Sequence, residues 1–136
     1  AFAYGLTDAR FITCFYDERT EYNGNMLPYV PRNTVALGAT KTFFITGFRP
    51  LEKIRLNARY RGTGSIYWNE ENTYNQPYYG LVDLKASFIR GEFQFDIWVK
   101  NLMNTEYSSF FFEALGNRYV QTGRPFQAGI NLSVNL

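Results

Sequence analysis

Aromatic side chains in otherwise polar stretches are the residues of this sequence best suited to binding a small molecule. They form two groups: Tyr67, Trp68 and Tyr74, and the consecutive Phe110, Phe111 and Phe112. Aromatic rings grip flat or apolar parts of a ligand while losing little conformational entropy. We therefore expect ligand contact here. The alternative is that these rings contact one another between loops or lie in a belt at a membrane interface.

Charged residues separated by even numbers of positions form the second candidate group. Arg55, Arg59 and Arg61 share one face if residues 54–61 form a strand. Such a face could attract an anionic ligand, or it could pair with acidic residues elsewhere in the protein. In the neighbouring predicted strands, the residues expected on the same polar side include Lys85, Asp96 and Lys100.

The sequence offers little for catalysis or for a metal. It contains no histidine, which removes the commonest general base and metal ligand. Cys14 is the only cysteine, and we expect it to be a small apolar residue, buried or facing lipid. No phosphate-binding loop and no paired carboxylates with a base occur, so we expect no enzyme activity and no cofactor. The net charge of +2 gives no reason to expect a nucleic-acid partner.

The candidate residues must be positioned by β-strands, and the last twelve residues, 125–136, show the strand pattern most clearly. Apolar side chains alternate with polar ones or glycine, a period that only an extended strand presents as two distinct faces. The apolar residues are Phe126, Ala128, Ile130, Leu132, Val134 and Leu136. A tilted strand of roughly 9 to 11 residues is long enough to cross a bilayer as part of a barrel.

The same alternation predicts about six strands in one domain. They are expected within residues 1–15, with a bulge near Thr7 to Ala9 where the parity shifts, and at 35–45, 54–61, 81–89, 93–100 and 125–136. The connections between them run long, short, long, short and long, so an up-and-down sheet would carry every long loop at one end. Outer-membrane barrels show this asymmetry.

Two aromatic belts support a membrane location over a soluble ligand-binding barrel, which would show the same alternation. A passive small outer-membrane barrel is the other alternative. The belts are expected at Phe43, Phe44, Phe48, Phe88 and Phe93 near the short turns, and at Tyr60, Tyr67, Trp68, Tyr78, Tyr79 and Tyr107 near the loops.

Three short elements resemble the C-terminal part of TonB-dependent outer-membrane receptors. The first is Val30-Pro31-Arg32 before a strand, and the second runs from Val99 through Asn101 and Asn104 to Tyr107. The third is Gly123-Arg124-Pro125 before the terminal strand. We expect Asn101, Asn104 and Tyr107, with Pro31 and the Gly-Arg-Pro element, to be structural, since Asn side chains can satisfy backbone groups at a strand end.

The resemblance implies an all-β, antiparallel, up-and-down transmembrane barrel segment: the last six strands of a 22-stranded barrel in the outer membrane of a Gram-negative bacterium. The chain would then be one segment, 1–136, of a larger receptor. Its implied partners are outer-membrane lipid, the rest of the barrel, a plug domain, the inner-membrane TonB complex and a metal chelate. An iron-siderophore is expected first, and haem or cobalamin next. Leu136 stands where the family usually ends in Phe or Trp.

Overall fold

A single six-stranded antiparallel sheet dominates the computed structural model, which describes residues 1–15, 21–47 and 51–134. Its strands are, in spatial order, β1 (Phe2–Leu6), β2 (Asn33–Phe44), β3 (Lys53–Thr63), β6 (Tyr79–Arg90), β7 (Phe93–Lys100) and β10 (Gln127–Val134). Strands that follow one another along the chain are therefore neighbours in this sheet. The alternation of apolar and polar residues thus produces the predicted up-and-down sheet.

Two small hairpins lie in the long connections. The first pairs β4 (Ile66–Tyr67) with β5 (Asn75–Gln76), and the second pairs β8 (Ser108–Ala114) with β9 (Asn117–Thr122). The second turns at Leu115 and Gly116, both of which have positive φ, the backbone conformation that tight hairpin turns require. Residues 64–78 and 101–126 are therefore folded rather than structureless loops.

The predicted asymmetry of the connections is confirmed. The three long connections span residues 7–32, 64–78 and 101–126. Their described parts, which for the first connection are residues 7–15 and 21–32, lie at one end of the sheet, which we call the loop end. The described residues 45–47 and 51–52 of the connection after β2 and the two-residue turn Gly91-Glu92 lie at the other end, the short-turn end. No helix long and apolar enough to span a membrane occurs in the part of the chain that the structure describes.

The strand register places the two classes of side chain on opposite faces of the sheet. One line of paired positions runs through Ala39, Ala58, Leu84, Val99 and Ala128, all apolar. We call this side the apolar face, and most of its large side chains are exposed, while the others are half-buried. The next line of paired positions, on the opposite or polar face, runs through Thr40, Asn57, Lys85, Trp98 and Gly129.

Buried apolar side chains collect at the loop end and not in the middle of the sheet. Among the described residues they are Met26, Trp68, Leu81 and Phe111. A single sheet has no second layer to bury its apolar face, whereas the three folded connections can bury side chains against one another. The structure therefore has its small dry core where it was expected to have loops.

The first predicted strand is wrong beyond Leu6. The strand ends there, no bulge forms near Thr7 to Ala9, and residues 9–15 instead pair with residues 21–27 of the same connection through bridges such as Arg10–Met26. The shift of parity in the sequence marks this change of partner. Cys14 lies half-buried within this connection, where its amide donates to the Asn23 side chain.

Candidate binding site of the loops and the polar face

Aromatic contacts join the three long connections in pairs. Tyr29 of the first connection makes an edge contact with Trp68 of the second, with ring centroids 5.6 Å apart, and stacks on Phe110 of the third at 5.7 Å. Tyr74 of the second connection stacks on Phe111 of the third at 5.0 Å. Each such pair contributes about 0.5 to 1.5 kcal/mol beyond the area it buries, so the connections form one unit.

Polar contacts reinforce the joint between the first two connections. The Asn72 side chain accepts a hydrogen bond from the Met26 amide at 2.7 Å and donates one to the Met26 carbonyl at 2.9 Å. Asn72 itself has a φ of 58°, a conformation that asparagine tolerates better than most residues. Further along, the Tyr22 hydroxyl donates to Glu71 and the Asn25 side chain donates to the Glu70 carbonyl.

The six aromatic candidates divide into buried and exposed residues. Trp68 and Phe111 are each only 7% exposed, Tyr67 and Tyr74 are half-buried, and Phe110 and Phe112 are each 43% exposed. The hairpin explains the division, because Phe111 and Phe112 point to opposite faces of β8. Trp68 and Phe111 belong to the dry core, whereas Phe110 and Phe112 are accessible to a ligand.

Two residues that the sequence did not suggest complete the exposed surface. Phe112 stacks on Tyr119 of β9 at 4.8 Å and lies 5.8 Å from Phe110, which in turn stacks on Tyr29. We call Tyr29, Phe110, Phe112 and Tyr119 the aromatic ladder. The Gly116-Asn117 turn signal between Phe112 and Tyr119 could have predicted this hairpin. Nothing near Tyr29 in the sequence points to its partners.

The six charged candidates all lie on the polar face. They are Arg55, Arg59, Arg61, Lys85, Asp96 and Lys100. Arg61 pairs with Asp83 at 3.0 Å, and Lys85 pairs with the almost fully buried Asp96 at 2.7 Å. Gln94 also donates to Asp96. Basic residues outnumber acidic ones in the described strands of this face, so its potential is positive.

A depression of about 600 Å³ lies on the polar face between β3, β6, β7 and β10. Arg59, Lys85 and Lys100 line it together with Asp83, Trp98 and Asn131. The Lys100 ammonium lies 5.5 Å from the centroid of the Trp98 ring, within the range of a cation–π contact. An anionic or polar molecule passing this depression would meet mainly positive side chains. We call this part of the polar face the basic wall.

Asn101 ties the end of β7 to the segment that enters β10. Its side chain donates to the carbonyls of Thr105 and Arg124, at 2.9 and 3.1 Å, and accepts from the Thr105 amide at 2.8 Å. The Asn101 amide donates to Asp83 at 3.1 Å. Asn101 is only 4% exposed and has a φ of 49°. These bonds satisfy backbone groups that a strand end leaves open.

The other residues of the three resemblance elements surround this joint or the first connection. The Asn104 side chain accepts from the Phe126 amide at 2.8 Å, directly after Pro125. The Tyr107 ring lies against Gly123 and stacks on Tyr79 at 4.4 Å. Pro31 is half-buried just before β2, where the Arg32 amide donates to the Ser65 carbonyl.

Each of the two predicted aromatic belts is divided between the two faces of the sheet. At the loop end, Tyr60 and Tyr78 lie at the apolar face and share a hydrogen bond between their hydroxyls, while Tyr79 and Tyr107 stack on the polar side. That hydrogen bond raises the pKa of Tyr78, with burial adding to the effect. At the short-turn end, Phe43, Phe88 and Phe93 lie on the apolar face and Phe44 on the other. Phe48 lies outside the described residues.

The described residues contain no group of three or more His, Cys, Asp or Glu side chains placed to hold a metal. The arrangement as a whole offers an exposed aromatic surface above a basic wall.

Comparison with known proteins identifies the architecture. Residues 1–102 match the family model described as TonB dependent receptor-like, beta-barrel. The fold is similar to the crystal structure of the ferric yersiniabactin uptake receptor FyuA from Yersinia pestis, with a TM-score of 0.75 and 18% sequence identity over 83% of this chain. The chain spans 17% of the length of that receptor. None of the curated proteins compared with this sequence matches it.

Proposed function

The chain belongs to the TonB-dependent receptor family, and we propose that it forms the last six strands of a receptor that imports a metal chelate. Barrels of this family lie in the outer membrane of Gram-negative bacteria, and the location holds for this one. The family consists of transporters rather than enzymes, which supports the proposal of transport. A soluble ligand-binding barrel is thereby excluded. The remaining barrel strands, a plug domain and the TonB complex are the partners that the proposal requires.

The proposal is carried by one observation: the three long connections, joined pairwise by aromatic contacts, stand at the end of a sheet whose polar face is basic. With the apolar face toward lipid, the polar face lines the lumen below the loops. Binding loops held by a rigid barrel are the usual arrangement for ligand capture. In the proposed receptor, the loops capture the chelate and the basic wall guides it inward.

The aromatic ladder is the proposed contact for the flat or apolar part of the chelate, because Phe110 and Phe112 are exposed, as are Tyr29 and Tyr119, while Phe111, between Phe110 and Phe112 in the chain, is buried. Trp68 and Phe111 hold the loops together, with Tyr67 and Tyr74 half-buried beside them. Arg59 and Lys100, which line the depression, are the proposed contacts for the negative charge of the chelate. A ferric siderophore satisfies both requirements, and it leads over haem and cobalamin.

Uptake of radiolabelled iron tests this function in cells that express the whole receptor. A panel of ferric catecholate, hydroxamate and phenolate chelates is supplied to cells with and without TonB. We expect uptake of at least one chelate that disappears without TonB. Uptake that persists without TonB would show a passive barrel, the alternative reading, and absence of uptake for the whole panel would exclude an iron-siderophore receptor.

The guiding role of the basic wall is tested in the same uptake assay. Reversing Arg59 to Glu should slow uptake of an anionic chelate more at low ionic strength than at high ionic strength, because salt screens long-range attraction. The matched control is Arg90→Glu, because Arg90 lies at the short-turn end of β6 and on the apolar face, away from the depression. Equal effects of the two reversals would contradict a guiding role for the wall.

A further inference from the structure

Lys41 is the only charged residue in the interior of a strand on the apolar face, among the strands that the structure describes. It lies opposite Leu56, and the same line of paired positions continues through Ala86, Ile97 and Ile130. A charge on the lipid side of a transmembrane strand is costly unless it reaches the interface or finds a partner of opposite charge. Lys41 therefore calls for a specific explanation.

The side chain of Lys41 extends toward the short-turn end. Its ammonium lies 5.9 Å from the ring centroid of Phe43, which is two residues nearer to that end of β2. A lysine in this situation buries its aliphatic stem and brings its ammonium to the level of the lipid headgroups. In outer-membrane barrels the short turns are periplasmic, so the headgroups concerned belong to the periplasmic leaflet.

Beside Lys41 the apolar face carries a depression of about 490 Å³. Lys41 borders it, and the larger apolar side chains around it are Leu56, Leu84, Ile97 and Val99. Nearly all of its lining is apolar, although it is open to the side on which the lipid lies. In the membrane, only hydrocarbon can fill such a space favourably, since a polar occupant would lose its hydrogen bonds.

We infer that Lys41 and this depression form a binding site for one anionic phospholipid. The lipid phosphate accepts hydrogen bonds from the Lys41 ammonium, and one acyl chain lies in the depression. An ammonium binds phosphate as a compact point charge, and the apolar surroundings of Lys41 strengthen that attraction. The inference goes beyond the proposed transport function and holds whichever ligand the receptor imports.

Native mass spectrometry of the purified whole receptor tests the site. The receptor is titrated with phosphatidylglycerol and, separately, with a diacylglycerol that carries the same acyl chains and has no phosphate. We expect Lys41→Met to weaken phosphatidylglycerol binding about fivefold, the effect of one basic residue at an anionic lipid surface. Diacylglycerol binding should not change, and Lys41→Arg should retain the affinity for phosphatidylglycerol.

Lys53→Met is the matched control, because it removes the same charge from the polar face, where Lys53 pairs with Phe44 and Ile89. It should leave both lipids unaffected. Ala86→Leu places a larger side chain in the depression and should weaken both lipids equally. The site is disproved if Lys41→Met binds phosphatidylglycerol as the native receptor does, if Lys53→Met loses as much affinity, or if Lys41→Met weakens diacylglycerol to the same extent.

Discussion

Tyr60 and Tyr78 share one hydrogen bond between their hydroxyls, and each ring covers a glycine of the opposite chain segment. The Tyr78 ring lies where a Cβ atom of Gly62 would be, and the Tyr60 ring lies where one of Gly80 would be. Gly62 and Gly80 are directly paired across β3 and β6. The two glycines thus leave room for two interlocked tyrosines at the loop end of the apolar face.

Replacing Gly80 by Val should displace the Tyr60 ring and break the hydrogen bond to Tyr78. We expect a loss of about 1 to 3 kcal/mol of stability, the usual cost of overpacking a close contact. Thermal unfolding of the whole receptor in detergent measures it. Gly38→Ala is the control, because the nearest atom to its new Cβ lies 4.0 Å away. Equal melting temperatures for Gly80→Val and the native receptor would contradict this packing.

The tyrosine hydrogen bond should also respond to pH. The pKa of Tyr78 is raised above the ordinary tyrosine value of 10.0, so the neutral form is favoured in the folded protein. Its contribution to stability is therefore complete below about pH 10 and is lost as the pH rises through the raised pKa. Tyr78→Phe should lower the melting temperature at pH 8, and the difference from the native receptor should shrink at strongly alkaline pH. A pH-independent difference would exclude this hydrogen bond as its source.

The buried pair Asp96–Lys85 should matter more for stability than the more exposed pair Asp83–Arg61 on the same face. Asp96→Ala removes a carboxylate whose side chain is only 5% exposed and leaves the Lys85 ammonium without the partner that it contacts at 2.7 Å. Removing one partner of such a pair costs about 3 to 5 kcal/mol when both are buried, and less here because Lys85 is partly exposed. Arg61→Ala, which breaks a more exposed pair, should cost about 1 kcal/mol or less. Denaturant unfolding compares the two, and the reverse order would contradict the role given to burial.

Asn101 should be the most sensitive residue of the joint between β7 and β10. Asn101→Ala removes three side-chain hydrogen bonds to backbone groups at a buried position, with an expected cost of about 2 to 4 kcal/mol. Asn104→Ala removes one bond at an exposed position and should cost about 1 kcal/mol. The difference in gel mobility between heated and unheated samples reports how much receptor is folded. Equal losses for both variants would assign the joint to backbone contacts alone.

The aromatic candidates should separate into two functional classes. Phe112→Ala should reduce chelate binding while leaving the melting temperature nearly unchanged, because Phe112 is half exposed. Phe111→Ala opens a hole in the dry core and should cost about 3 to 5 kcal/mol of local stability. Ligand binding by fluorescence quenching and limited proteolysis of the loops distinguish the two. A loop structure that survives Phe111→Ala would remove the basis for assigning contact to the ladder.

The strands were predictable because their period of two is a local property of the sequence. Strands β2, β3, β6, β7 and β10 lie within two residues of the expected bounds wherever the structure describes them. Strand β1 was not predicted correctly, since the predicted strand continued to residue 15, whereas residues 9–15 pair with residues 21–27. Alternation shows that a segment is extended and does not show which segment it pairs with.

The candidate site was only half predictable for the same reason. The charged residues of the polar face could be predicted from the alternation within each strand, because the polar sides of neighbouring strands form one common face. The exposure of Phe112 and the burial of Phe111 depend on the contact of Phe111 with Tyr74, a residue 37 positions away in the chain. Tyr29 joins the ladder through contacts with two other connections, and no local pattern encodes such contacts.

The pairwise joints among the three connections limit how this receptor can be rebuilt. Grafting one connection alone onto a related barrel would leave Tyr29, Trp68 or Phe111 without its ring partner and expose apolar surface to water. The smallest part that can be exchanged to alter ligand choice is therefore the whole trio of connections. Natural variation in one of them should be accompanied by compensating changes in the other two.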